Sequence, residues 1–386
     1  MFKKISFVII TNIILLLFLE LSVKLILKSL NLPLVYKVGN IGINRYDFLT
    51  GYYNLPNQDE KIDKFYIQAT DKYGFNLDGE RHPLNLEEKA ENEIRIFIVG
   101  GSTVQGRDLK NKFDPISARL ERKLNDKFKN DNKIYYVINA GVSSFLSAQE
   151  LSLIQNRIIY AFKPDAIVVL NGANDSFHRM GKNFYLSNSN PYQRYVSNNI
   201  NRQSKSFFYF VDDYLSKNIS TYFLLKKIIE KTSNIIFFEE EERKFYKDKS
   251  LSEAEAKEYR YFYNTNILSK LSNNNIPIIN YLQPQMLSSN YNTLNKNDKV
   301  IYDRFNLTNP NYFNEKNKFY KLISNNIKKY NNLNSENYNF YDISNILSIN
   351  DTGEPYYSDH VHYNHNSREI ISERIFNDLQ RFFMKN

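Results

Sequence analysis

The chain has 386 residues, 42% of them hydrophobic, so it can bury the core of one large domain or of two. It contains no cysteine, which excludes disulfides, thiolate catalysis and zinc sites with cysteine ligands. The net charge of +9 comes from lysines scattered among Asp and Glu, without an arginine-rich stripe, so no nucleic-acid partner is predicted.

The N-terminal segment predicts a membrane anchor. Lys3 and Lys4 precede an uncharged apolar run at 5–19, and the segment as far as residue 27 is long enough to cross a bilayer as a helix. No small-residue cleavage site follows, which favours an uncleaved anchor over residues 1–28. The paired lysines predict that the body lies in the periplasm or otherwise outside the cytoplasm. An amphipathic helix that packs on the domain is the alternative.

Residues 29–92 are polar, aromatic and rich in turn-forming residues, and we interpret them as a spacer and lead-in segment. A different pattern begins at residue 93. Short apolar runs typical of buried strands lie at 94–99, 134–139, 166–171, 276–282 and 339–343. Helical patterns lie at 113–128, 147–162, 252–273, 319–330 and 367–383. This alternation predicts an α/β domain over 93–386, with a five-stranded parallel sheet between two layers of helices.

The stretch 177–250 interrupts this alternation. It is rich in Asn, Ser, Lys and aromatic residues, and contains one helical pattern near 221–236. We interpret it as an insertion over the carboxyl end of the sheet, where loops usually determine specificity.

Four polar motifs follow the apolar runs. The first run stops at Gly100 and Gly101, which places the hydroxyl of Ser102 at the carboxyl end of a parallel strand, where open α/β sheets bind their ligands. Gly141 follows the second run, and the third leads into Gly172-Ala-Asn174-Asp175. An Asp359-x-x-His362 motif lies near the C-terminus.

In this order, the four motifs resemble the sequence blocks of the SGNH (GDSL-like) hydrolases, over roughly residues 70–380. They look closest to the membrane-anchored bacterial members, whose first block often has the sequence Gly-Gly-Ser-Thr, as residues 100–103 do here. The resemblance implies a flavodoxin-like strand order and a serine esterase that needs no cofactor.

The resemblance also implies a role for each matching residue. Ser102 is the expected nucleophile, His362 the base that takes its proton, and Asp359 the group that orients the imidazole. The N–H groups of Ser102 and Gly141 and the side-chain amide of Asn174 are the expected oxyanion donors.

Each residue also has a structural interpretation. Ser102 and Asn174 could cap the segments that follow them, and Asp175 is expected to support its loop rather than to contact substrate. His360 and His362, with His365 nearby, suggest a metal pair, but a metal site needs more ligands within reach, so no metal is predicted.

These features predict hydrolysis of O-acyl esters, acetyl esters first among them, through an acyl-enzyme on Ser102. An acylated envelope or exported carbohydrate is the expected substrate, on the strength of the resemblance and the predicted anchor alone. An O-acyltransferase with the same catalytic residues is the first alternative. A non-catalytic envelope-binding protein that keeps the fold is the second.

Overall fold

The computed structural model describes residues 2–29, 44–79, 82–177 and 252–384, together with separate positions between 214 and 228. The main stretches have gaps at 48, 60, 63–65, 84, 107–108, 273–274, 287–290, 309, 334–336 and 348–353. The chain forms two compact units. One consists of Met1–Asn44 and Tyr195–Ser250, and the other of Arg45–Arg194 and Leu251–Asn386.

The first unit contains helix α1 (Phe2–Ser29). Its Glu20 carboxylate accepts hydrogen bonds from the N–H groups of Ser220 and Thr221, at 2.7 and 2.8 Å, and lies 3.2 Å from the ammonium of Lys24. Burial disfavours the charge, but these hydrogen bonds outweigh it and lower the pKa of Glu20 to about 2. Glu20 is therefore an ionised contact between two segments of this unit.

The predicted membrane anchor over 1–28 is wrong, and the location outside the cytoplasm, which was predicted from that anchor, loses its basis. Among the residues that the structure describes, no helix is sufficiently long and apolar to span a membrane. The polar side chains of Thr11 and Asn12 and the ion pair between Glu20 and Lys24 interrupt the apolar sequence of α1.

The structure contains the five predicted strands, and it adds four short strands before them and helices that were not predicted. The strands are β1 (Asn44–Asp47), β2 (Gly51–Asn54), β3 (Lys61–Ile62), β4 (Tyr66–Ile67), β5 (Glu93–Gly100), β6 (Ile134–Asn139), β7 (Ala166–Asn171), β8 (Ile278–Leu282) and β9 (Tyr338–Asp342). The helices are α2 (Ser102–Gln105), α3 (Ile116–Lys127), α4 (Ser147–Leu153), α5 (Ile159–Phe162), α6 (Ala173–Phe177), α7 (Glu253–Leu271), α8 (Lys296–Thr308), α9 (Pro310–Asn325), α10 (Ile327–Asn331) and α11 (His365–Phe383). The predicted strands correspond to β5–β9, and the helices that were not predicted include α2, α6 and α8.

The core of the second unit is a five-stranded sheet in the order β6-β5-β7-β8-β9, and every neighbouring pair is parallel. This is the flavodoxin-like order, so the predicted sheet is confirmed. Side chains alternate between its two faces. Ile96 and Ile98 of β5 share a cluster with the apolar residues of α3 and α11, whereas Phe97 stacks on Phe162 of α5 at 6.0 Å on the other face.

Two helical predictions differ from the structure. The pattern at 147–162 is interrupted by a π-helical turn at Ile154–Ile158. The helix predicted at 319–330 begins nine residues earlier in the structure, where α9 starts at Pro310. Proline is well suited to the first position of a helix. The Asn- and Lys-rich residues between Pro310 and Phe319 hid this start from a search for apolar periodicity.

The contacts place residues from Arg45 onward in the α/β unit. Tyr52, Tyr53 and Phe75 are fully or almost fully buried, so much of the segment predicted as a spacer contributes to the core. The domain boundaries at 28 and 92 stay predictions. Most of the predicted insertion at 177–250, with its helix near 221–236, lies outside the described residues.

Candidate active site

Two glycines bring the nucleophile to the end of the sheet. Strand β5 ends at Gly100, and Ser102 opens helix α2. A Cβ at Gly100 would lie closer than 3.0 Å to the carbonyl of Leu170, and a Cβ at Gly101 equally close to Asn174 Nδ2. Only glycine therefore lets the chain turn here against the neighbouring strand and beside the Asn174 amide.

Ser102, His362 and Asp359 form one chain of close polar contacts. Ser102 Oγ lies 2.7 Å from His362 Nε2, and His362 Nδ1 lies 2.7 Å from Asp359 Oδ2. The His362 ring is buried, while Ser102 is half-buried. The structure thus joins the three side chains that were predicted to be catalytic, and leaves the hydroxyl accessible.

Asp359 is held as a carboxylate. Its Oδ1 accepts hydrogen bonds from the N–H groups of Val361 and His362, each at 2.8 Å, while Oδ2 faces the imidazole. Partial burial disfavours the charge, but the contacts with His362 and the two N–H groups lower the pKa of Asp359 well below its usual range. A fixed negative charge here orients the ring and stabilises the imidazolium form.

The buried side chain of Asp298 stabilises the loop that carries Asp359 and His362 through hydrogen bonds. Asp298, at the start of α8, is completely buried and accepts hydrogen bonds from the N–H groups of Tyr356 and Tyr357 at 3.0 and 3.1 Å. Burial raises its pKa, and these N–H groups oppose that rise. The sequence analysis missed Asp298, because a single Asp in a helical first turn looks like an ordinary helix-stabilising residue.

Asn174 lies beside the nucleophile in a defined orientation. Its Nδ2 donates one hydrogen bond to the carbonyl of Phe145 at 2.9 Å. A side-chain amide has a second N–H on the same nitrogen. The Ser102 N–H belongs to the first turn of α2, where helical N–H groups have no acceptor within the helix. The predicted donors Ser102 and Asn174 therefore lie together.

Gly141 lies at the same end of the sheet but in a different arrangement. Its N–H donates to Asn139 Oδ1 at 2.9 Å, so its role as an oxyanion donor stays a prediction that would require this bond to break. A Cβ at Gly141 would lie closer than 3.0 Å to the backbone of Val104 and Gln105. The glycine thus allows the loop after β6 to pack directly on the nucleophile helix.

A polar network supports this loop from behind. Asn139 Nδ2 donates to the carbonyl of Val104 at 2.8 Å and to Asp78 at 2.6 Å. Asp78 is fully buried, which raises its pKa to about 7 although Ser117 and Asn139 donate to it. Asn76 Nδ2 donates to the carbonyl of Gly141 at 2.9 Å. Sequence reasoning missed this network, because single asparagines are inconspicuous in such an Asn-rich chain.

Asp175 stabilises the segment that carries Asn174, which agrees with the structural role predicted for it. It is buried, and it accepts hydrogen bonds from the N–H and hydroxyl of Ser147 at 3.1 and 2.7 Å. Burial raises its pKa, and the guanidinium of Arg260, 3.8 Å away, partly opposes the rise. Asp175 thereby fastens the start of α4 to the segment that carries Asn174.

The two neighbouring histidines have other partners. The His360 ring stacks on Phe305 with a centroid distance of 4.2 Å. His365 Nδ1 lies 2.7 Å from Asp114, which also pairs with Arg368 and so joins the segment before α3 to α11. No group of at least three His, Asp or Glu side chains that could hold a metal ion occurs within the described stretches.

No protein-family model and no curated protein matches the sequence. Among solved structures, the chain is similar to an acetyl xylan esterase, at 11% identity and a TM-score of 0.36, over 74% of this chain and 99% of that one. It is similar to a lipase from a goat rumen metagenome, at 13% identity and 0.38, over 73% and 95%. A GDSL-like lipase from Bacteroides thetaiotaomicron gives 13% and 0.31, over 74% and 88%.

The flavodoxin-like strand order and the contacts that join Ser102, His362 and Asp359 agree with the architecture of the SGNH (GDSL-like) hydrolases. The resemblance found in the sequence is therefore confirmed. The closer resemblance to the membrane-anchored bacterial members is not shown.

Proposed function

We propose that the protein is a serine esterase that hydrolyses O-acyl esters, acetyl esters of a carbohydrate first among them. The observation that carries the proposal is the pair of 2.7 Å contacts that joins Ser102 to His362 and His362 to Asp359. A serine hydroxyl is a weak nucleophile until a neighbouring base removes its proton, and this geometry supplies that base.

In the first half-reaction, Ser102 Oγ attacks the ester carbonyl while His362 Nε2 takes the hydroxyl proton. Negative charge then develops on the former carbonyl oxygen, where the N–H of Ser102 and the second N–H of Asn174 Nδ2 can donate to it. The imidazolium of His362 lies against the ionised Asp359. It returns the proton to the departing alcohol oxygen, which leaves the acyl group on Ser102.

In the second half-reaction, a water molecule repeats the attack on the acyl carbon. His362 takes one proton from the water and returns it to Ser102 Oγ as the acid departs. The half-buried hydroxyl of Ser102 is accessible to both reactants. If a sugar hydroxyl replaced the water, the same residues would perform acyl transfer.

The carbohydrate part of the proposal is supported by the sequence resemblance alone. A membrane-anchored body no longer supports it, because no helix within the described residues could span a membrane. The chemistry of ester cleavage does not depend on that argument, because it follows from the positions of Ser102, His362 and Asp359.

The test is a substrate series with the full chain: p-nitrophenyl acetate, butyrate and octanoate, then acetylated xylose with release of acetate measured directly. Ser102→Ala should lose at least about a thousandfold in kcat, whereas Ser152→Ala, a serine bonded to the Leu49 carbonyl, should keep wild-type activity. Equal turnover by Ser102→Ala and wild type would contradict the proposal. Acetylated acceptor sugars in place of free acetate would favour transfer.

A further inference from the structure

A small cavity lies between α4, β7, β8 and α7, below the loop that carries Asn174. Its volume is about 10 Å³, and every side chain that lines it is buried. Three of the polar side chains that line it each have one buried atom without a hydrogen-bond partner among the described residues: Glu150 Oε2, Thr265 Oγ1 and Asn280 Oδ1. Three unpaired polar atoms from three different elements therefore surround one space.

The cavity has the size and polarity of a site for one water molecule. A water needs roughly 10–15 Å³ of space for its centre and two to four polar partners. Buried polar atoms in folded proteins are nearly always hydrogen-bonded, so three unpaired atoms around one cavity indicate a shared partner. An apolar cavity of this size would stay empty, but this one is polar.

We propose that protonated Glu150, Thr265 and Asn280 hold one internal water molecule, and that this water-linked cluster keeps the oxyanion donor Asn174 in position. The Glu150 hydroxyl donates to the water oxygen. The two water protons go to Asn280 Oδ1 and Thr265 Oγ1. The arrangement satisfies all three atoms, and in it the protonated carboxyl of Glu150 is the donor to the water.

The cluster connects directly to the segment that carries Asn174. Glu150 is hydrogen-bonded to Asn171, the last residue of β7, and Tyr261 donates its hydroxyl to Asn171 Oδ1 at 2.5 Å. Asn174 follows three residues later. On the same helix as Glu150, Ser147 binds Asp175. Glu150 is thus a positioning residue that acts through Asn171.

The surroundings of Glu150 favour its neutral form. Burial, and then the negative charge of Asp175, raise the pKa of Glu150 well above its usual range, while Asn171 opposes this rise. The titratable groups that interact with Glu150 are Asp175 from α6 and Tyr261 from α7, and Arg260 of α7 lies 3.8 Å from Asp175. Loss of the proton would place a second negative charge near Asp175 and reverse the hydrogen bond between Glu150 and the water, so that the hydrogen bonds of the cluster would have to rearrange.

The first test is a crystal structure of the full chain at a resolution that shows ordered water. We expect a water oxygen at roughly 2.6–3.2 Å from Glu150, Thr265 and Asn280. A cavity without water density would overturn the site. This measurement does not depend on the proposed esterase activity.

The second test follows kcat against pH, and rests on that activity. Wild-type kcat should fall at alkaline pH, and Glu150→Gln, whose amide donates to the water at any pH, should move this fall upward by at least about one unit. Glu150→Leu should lower kcat roughly tenfold at neutral pH, which is less than the complete loss of an oxyanion donor.

The matched control is Glu258→Gln. Glu258 is another buried acid, but it binds the Tyr330 hydroxyl away from the cavity. Its alkaline fall should match that of wild type. An alkaline fall that Glu150→Gln leaves in place would overturn the link to Asn174. A wild-type chain without turnover at any pH would instead contradict the esterase proposal, and leave the water measurement valid.

Discussion

Gly101 and Asn174 are so close that a single methyl group at Gly101 would lie closer than 3.0 Å to Asn174 Nδ2. The backbone before Ser102 is thus in direct contact with the side chain of Asn174, the proposed oxyanion donor. Position 101 therefore determines where Asn174 can place its second N–H.

Gly101→Ala should separate activity from stability. The methyl group would displace the Asn174 amide, and the loss of one oxyanion donor lowers kcat by a factor of about 100–1,000. Gly79→Ala is the control. A Cβ at Gly79 would lie at an ordinary distance of 3.5 Å from its neighbours, but the backbone φ of +66° is strained for alanine. Gly79→Ala should lower the Tm and keep kcat. A Gly101→Ala enzyme with unchanged kcat would contradict the placement of Asn174.

Asp359→Asn should lower kcat by a factor of roughly 1,000–10,000, because an amide can present an N–H to His362 Nδ1 and so select the wrong tautomer. The matched control is Asp303→Asn, which changes an acid that binds the Tyr291 hydroxyl. Steady-state kinetics on p-nitrophenyl acetate measure both. Similar losses in the two variants would show that the orientation of His362 does not depend on Asp359.

Asp298→Asn should weaken the loop that carries the base. The amide retains one acceptor oxygen for the N–H groups of Tyr356 and Tyr357, and its own N–H₂ group faces those donors. We expect a loss of about 1–3 kcal/mol in the free energy of unfolding, measured in urea. The kcat should fall as well, because His362 lies in the fastened loop. Unchanged stability would show that these hydrogen bonds contribute nothing.

Asp78 predicts a dependence of stability on pH. Burial raises its pKa from 3.8 to about 7, so between these values the folded state keeps a proton that the unfolded state has released. Stability should therefore decrease as the pH rises from about 4 to about 7, by at most on the order of 4 kcal/mol from this group. Urea denaturation at several pH values measures the slope.

Asp78→Asn should flatten that slope. The amide oxygen can still accept from Asn139 and Ser117, and its N–H₂ group faces Gln68, whose Oε1 has no partner and can accept after an amide flip. Asp126→Asn, on α3, is the control and should keep the wild-type slope. Parallel slopes for wild type and Asp78→Asn would contradict the raised pKa.

The sequence predicted the centre of the sheet well because β7 and β8, and β5 after its first two residues, are buried on both faces. Such strands are continuous apolar runs, and β5, β6 and β7 end in the Gly and Asn residues that surround the site. The three side chains predicted to be catalytic could be singled out because each lies in a short motif. Their spacing within a motif is local information, which one sequence contains.

The supporting residues were missed because their partners are distant in the sequence. Asp298 binds Tyr356 across 58 positions, and Asn76 binds Gly141 across 65. Nothing in the neighbourhood of either residue marks it. The membrane anchor was also predicted from local information, namely the hydropathy of residues 1–28. The contact of Glu20 with Thr221 spans 201 positions, so no local pattern indicated it.

The separation of 260 positions between Ser102 and His362 has a consequence for the chain while it is being synthesised. The nucleophile leaves the ribosome long before its base, which lies on the last strand-to-helix connection, before α11. A nascent chain that contains Ser102 but not yet His362 lacks the base that would remove the serine proton, so it cannot carry out the proposed reaction. In the proposed mechanism, hydrolysis therefore begins only after the segment that carries His362 has packed beside Ser102.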